Sequence, residues 1–200
     1  MGRRKRKCQV LGNGTQRAKK RGVEDIFIAC TDNLTGFSAA IGAVFSKTEI
    51  QNCIIHQLRN SSKYVSYKDI KALMADLRSV YAAVDEPTAL DALDAFSTKW
   101  DTKYPKISRS WRENWANLST YFKYPQEVRR LIYTTNSIEG FNRQLRKVTK
   151  TRSVFPTDDS LFKMLYLAMV DITKKWTGRQ RDWSMIHAQL SIYFAERMPE

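Results

Sequence analysis

Apolar residues in this chain recur first at the dense spacing of short buried strands and afterwards almost entirely at helical spacing. Asp25-Ile26-Phe27-Ile28-Ala29-Cys30 is an apolar run of strand length, and it ends in Thr31-Asp32-Asn33-Leu34-Thr35-Gly36, which is turn chemistry. Residues 37–45 then place apolar side chains at helical spacing, and residues 49–56 (EIQNCIIH) read as a second strand. A strand–helix–strand unit of this kind predicts a parallel pair joined by a crossover.

Beyond residue 56 the strand pattern stops. Residues 67–84 set Ile70, Leu73, Met74, Leu77, Val80 and Tyr81 on one face, which predicts an amphipathic helix. Residues 89–103 (Leu90, Leu93, Phe96, Trp100) and 107–122 (Trp111, Trp115, Leu118) predict two more. Pro125 opens a short helix through residue 132, residues 136–150 form the next, and helices over 158–175 and 183–197 complete the chain. Thr135, Asn136 or Ser137 would cap the helix at 136. Trp100, Trp111, Trp115 and Trp176 read as core. The fold class read from this pattern is α/β: a short parallel sheet followed by many helices.

Charge divides the chain in two. Residues 1–21 contain nine Lys or Arg and no acid, with little periodicity, and read as a basic, disordered leader. Of the formal net charge of +14, this leaves 25 basic and 20 acidic residues for 22–200, a modestly basic body suited to a polyanion such as DNA. No apolar run approaches the ~20 residues of a membrane span, so no membrane partner is expected. Nor does an apolar stretch behind the basic start read as a secretory signal. Three widely spaced cysteines do not make a disulfide framework, which fits a reducing, cytoplasmic setting.

Two carboxylates stand out. Asp32 follows the C-terminal end of a predicted parallel strand, the edge where open α/β sheets gather ligands. It reads either as a metal-holding carboxylate or as a turn former. Glu139 lies in the first turn of a helix, beside the apolar face of Ile138, Phe141 and Leu145 and four residues before Arg143. It reads either as a catalytic acid or as half of a surface i,i+4 ion pair. Spacing leaves both choices open.

The strings ACTDNLTGF, CIIHQLRNS and YTTNSIEGFNRQLRKVTK, with the Lys174-Lys175-Trp176 neighbourhood, resemble the hallmark blocks of Mutator-type transposases of bacterial insertion sequences, in order, over about residues 21–197. The resemblance implies an RNase H-like catalytic domain with an Asp-Asp-Glu triad. Asp32 matches the second Asp and Glu139 the Glu, and residues 60–130 match the family's helical insertion. Such a triad holds two Mg²⁺ ions, in general ~3.5–4 Å apart, for cleavage and transfer of DNA strands. Cys53 and His56 match a Cys-x-x-His block beside the active site, and Arg143, Arg146 and Lys147 are implied as contacts to DNA phosphates. The implied partners are insertion-sequence ends and target DNA, with self-association as a further expectation and the nucleoid as the place of action.

The family's first Asp lies on an earlier strand that nothing ahead of Ile26 resembles. The expectation is a truncated catalytic domain, inactive alone, in which the strand over 25–30 has an unpaired edge. Codons for Cys8 to Lys20 can be chosen so that, two bases out of frame, they spell Ser-Ala-Lys-Phe-Trp-Val-Thr-Val-Leu-Asn-Glu-Leu-Lys. That string is similar to the helix family members carry at this point, so residues 1–20 read as an out-of-frame start. The alternative from another class is a noncatalytic fragment that binds DNA or regulates a full-length transposase.

Overall fold

The computed structural model describes residues 14–33, 36–134, 137–150, 154–174 and 182–198, with the backbone alone at 133, 134 and 137–139. Residues 14–20 form a helix, α1, within the stretch 1–21 that the sequence reading expects to be disordered, and the rest of that expectation, over 1–13, lies outside the described residues. Gln16, Arg17, Ala18, Lys19 and Lys20 are good helix formers. Gly22 ends the helix in the left-handed region that glycine tolerates, with φ at 91°. Its N–H donates to Lys19 O and that of Val23 to Ala18 O, the paired bonds of a Schellman motif.

Strands β1 (Ile28–Thr31) and β2 (Glu49–Asn52) pair in parallel, from Ile28 opposite Glu49 to Thr31 opposite Asn52, with α2 (Phe37–Val44) as the crossover. The sheet is thus α/β, as the pattern predicts, but each strand is shorter than its apolar run. The second predicted strand, 49–56, needs the larger correction: Cys53 is the N-cap of helix α3 (Ile54–Ser62). Ile54, Leu58 and Ser61 return to the buried face at helical spacing, which a six- to eight-residue apolar window cannot distinguish from a strand. Among the described residues no strand pairs with the other edge of β1.

Helices α4 (Tyr67–Tyr81) and α5 (Glu86–Trp100) form the main antiparallel pair of the helical region that follows the sheet, the stretch expected as an insertion. Helix α5 begins three residues before the predicted start because Asp85 caps it, accepting from Thr88 N–H at 2.9 Å, and Pro87 is tolerated in the first turn. The predicted helix over 107–122 is broken into α6 (Pro105–Glu113), α7 (Trp115–Leu118) and a 3₁₀ turn, η1 (Thr120–Lys123). The break falls at Asn114, whose amide donates to Ser110 O at 2.7 Å, a local side-chain bond that competes with the helix ladder. Then follow α8 (Gln126–Thr134), α9 (Ser137–Thr149), α10 (Asp158–Thr173), α11 (Trp183–Tyr193) and a second 3₁₀ turn, η2 (Ala195–Arg197).

Two hydrophobic clusters organise these elements. The larger joins Leu73, Leu77, Val80, Leu93, Phe96, Trp100, Trp111 and Leu118 of the insertion with Ile54 and Leu58 of α3. The smaller gathers Tyr124, Val128, Ile186 and Phe194, with Phe27 and Ile28 packed against them. Trp100 and Trp111 are core as predicted and Trp115 is half-buried, while Trp176 lies outside the described residues. Gln51, 1% exposed, welds the insertion to the sheet: its amide N–H donates to Leu118 O at 2.9 Å and its carbonyl accepts from Tyr121 N–H at 2.8 Å. Every polar atom it buries is thereby matched, as burial requires.

The C-terminus is pinned to the entry of β1. Arg197 donates to Asp25 from Nε and Nη2, each at 2.8 Å, and lies beside the stacked rings of Phe27 and Phe194, with its guanidinium 5.1 and 5.2 Å from the two centroids. The hydrogen bonds from Arg197 hold the Asp25 carboxyl below its usual range. A depressed carboxylate contributes stability that is present above its unfolded value, about 3.9, and is lost as pH falls through the folded value. Asp25→Asn is therefore expected to lower stability at neutral pH and to flatten its decline below about pH 4. Thermal unfolding of both proteins from pH 3 to 7 checks this, and parallel curves would contradict it.

Candidate nucleic-acid interface and carboxylate site

Parallel strands send their C-terminal ends to one edge of a sheet, and the polar residues there come from whatever follows each strand. After β1 comes Asp32, and after β2 comes the first turn of α3 with His56. The two side chains meet: His56 Nδ1 lies 3.0 Å from Asp32 Oδ1, with Asp32 48% and His56 29% exposed. Sequence reading puts His56 at the end of a strand; its place on α3 is what lets it turn back over the sheet edge towards Asp32. Next to Asp32, Asn33 Nδ2 donates to Asn114 Oδ1 at 2.5 Å, so the insertion holds the turn that carries the carboxylate.

Glu139 stands in the first turn of α9, as expected, and its side chain lies outside what is described. The positions that follow it at i+4 and i+7, Arg143 and Arg146, line a cavity of about 410 Å³ together with Asn142, Arg59 and His56. Helical spacing places position 139 on the same face of α9 as these two arginines. The cavity thus joins the helix of Glu139 to the side chain that touches Asp32. Lys147 is exposed on the same helix but is not among the residues lining the cavity.

Arg59 and Asn142 escaped sequence reading. Arg59 stands three residues after His56, one helical turn along α3, and that spacing becomes a signal only once Cys53–His56 is seen to open a helix rather than end a strand. Cys53 sits half-buried at the N-cap, behind the cavity rather than in it. Burial of its thiol, with Cys53 nearby as the second cause, pushes Cys30 up to about 11, so its sulfur stays protonated near neutrality. Part of Cys30 still faces solvent, but the thiol itself leans on Ile132 O at 3.5 Å.

Asp25 is not a partner for Asp32. It precedes β1, at the opposite end of the strand, and Arg197 occupies both of its oxygens. Among the described residues no group of three His, Cys, Asp or Glu comes together in a way that could hold a metal ion. The donors that do converge are Asp32 and His56.

Residues 15–179 match the family model for transposases of the Mutator family. Over 180 residues, 90% of this chain, the sequence is 44% identical to a probable transposase for insertion sequence element ISRM3-like from Sinorhizobium fredii and 43% identical to the transposase for ISRM3 from Rhizobium meliloti. A probable transposase for an insertion sequence element from Corynebacterium diphtheriae is 42% identical over 156 residues, 78% of this chain and 46% of that protein. The first two matches cover 45% of each relative, so the chain spans less than half the length of these curated proteins. With its matched region running from α1 to beyond α10, the chain belongs to the Mutator family of transposases.

Proposed function

We propose that this chain is the C-terminal part of an RNase H-like, metal-dependent DNA strand-transfer domain, with Asp32 and Glu139 as two of its three carboxylates. The observation that carries the reading is the shared cavity. His56, in contact with Asp32, faces Arg143 and Arg146 from the helix that bears Glu139. Three arginines in one cavity suit phosphate oxygens, which they bind with charge-assisted, often bidentate bonds. The donor chemistry fits magnesium, which accepts one or two carboxylates and completes its shell with water and substrate phosphates. When bound, magnesium in such a site activates a water or 3′-hydroxyl and stabilises the leaving oxygen.

The chain's own residues have separable tasks in this reading. Asp32 and Glu139 fix the metal, His56 orients Asp32, and Arg59, Arg143 and Arg146 hold the DNA backbone, with Lys147 adding charge at the rim. Cys53 stands at the N-cap of α3, where its backbone N–H donates to Thr31 O at 2.8 Å and ties the start of the helix that carries His56 to the end of β1. In this reading the third carboxylate is an aspartate, a place that Asp25, held by Arg197, does not fill.

Calorimetric titration of Mg²⁺ or Mn²⁺ into the chain bound to insertion-sequence-end DNA tests the assignment. Metal binding that weakens about tenfold or more in both Asp32→Ala and Glu139→Ala supports it, since losing one charged ligand costs at least about 1.4 kcal/mol. Metal binding indifferent to both substitutions, beside intact salt-sensitive DNA binding, would replace it with a noncatalytic DNA-binding role.

A further inference from the structure

A second cavity, of about 450 Å³, opens where the end of α3 meets the start of α6. Buried Ile107 and the ring of Tyr104 give it apolar lining, and the exposed Asn60, Lys103 and Lys106 line it too. Tyr64 forms one wall with 76% of the residue exposed. Other aromatic residues are also exposed, Tyr67 and Phe162 among them, but Tyr64 is the exposed one that lines this cavity. A cation stands beside the ring, with Lys63 Nζ 5.3 Å from its centroid.

We propose that this pocket receives an unpaired nucleobase of a DNA strand, stacked on Tyr64, whose backbone continues from the arginine cavity along α3. The inference rests on the reading above that the chain handles DNA. The geometry links the two cavities through one helix: His56 and Arg59 line the first, Asn60 and Ser61 the second. From His56 to Ser62 is about 9 Å along the axis at the helical rise of 1.5 Å per residue. The cavity volume lies in the range of small-ligand sites and leaves room for a planar heterocycle.

Charge on this surface suits a phosphate chain. Lys63 and Lys106 are exposed and have no acidic partner among the described residues. Lys103 and the Tyr104 hydroxyl, by contrast, are both held by Asp69, which leaves them as wall rather than as anion contacts. The Asn60 side chain in the lining offers an amide, the group that pairs with base edges through one donor and one acceptor. An exposed aromatic flanked by cations is the arrangement that single-strand binders use, because every base has a face to stack while the backbone needs neutralising.

Fluorescence anisotropy with a single-stranded oligonucleotide, the matching duplex, and the same single strand carrying one abasic position tests the proposal. Tyr64→Ala is expected to weaken single-strand binding about ten- to a hundredfold, the range of one base stacked on an aromatic side chain, with duplex binding unchanged. Tyr64→Phe should bind as the parent does. Equal single-strand affinity for the parent and Tyr64→Ala would overturn the pocket while leaving the DNA-handling reading intact. Failure of the parent to bind either DNA would overturn both.

Discussion

Trp111→Ala is expected to lower the free energy of unfolding by about 3–5 kcal/mol, the cost of deleting a large buried aromatic side chain. Trp111 is 1% exposed and is the largest of the fully buried side chains. Its indole N–H donates to Ser61 Oγ at 2.9 Å, and Ser61 in turn donates to Gln57 O at 2.8 Å. Gln57 reaches back to Ser110 Oγ at 3.1 Å, so one side chain packs α6 against α3 and closes a polar circuit between them. Domains of this size have ~5–15 kcal/mol in all, so the variant should sit near or beyond the edge of folding. Urea unfolding followed by circular dichroism measures the change. Trp111→Phe, which keeps most of the ring and loses the donor, should fall well between the two. A midpoint for Trp111→Ala close to that of the parent would contradict this account of the core.

The second large effect concerns charge. If Arg143 and Arg146 each neutralise a phosphate, replacing both by alanine should take about 1.8 off the slope of log binding constant against log salt, since each contact contributes ~0.9. Affinity at fixed salt should fall by about tenfold for each charge-assisted bond lost. Lys99→Ala is the matched control. Lys99 is a cation of the insertion already paired with Asp76 at 2.7 Å, and it should leave the slope unchanged. Titrations at several salt concentrations read both quantities. An unchanged slope in the double variant would remove these arginines from the DNA path, whatever the cavity's shape.

These expectations join α3 and α9, and the sequence displays them unequally. Helix α9 is plain in the spacing of Ile138, Phe141 and Leu145, so its arginines can be placed on a face without coordinates. Helix α3 is not. Its first four residues, Ile54-Ile55-His56-Gln57, continue an apolar stretch from β2, and only packing against Trp111 and Leu118 shows where the strand stops. Arg59 and Asn60 could not be assigned to a face until that boundary was known. The basic start shows the same effect in reverse: composition argues against order, yet Gly22 in a left-handed conformation ends a helix over 14–20.

Local chemistry in the chain determined most of the helices beyond residue 66, the parallel strand pair and the family to which the protein belongs, but not α1 or α3. Periodicity and turn residues act over a few positions and can be read one window at a time. Tertiary structure alone decided that His56 touches Asp32, that Arg59 joins Arg143 and Arg146 in one cavity, and that Asp25 is committed to Arg197. Each of these joins residues separated by many positions, and their meeting depends on how helices cross over the shared core, which no short window of sequence encodes.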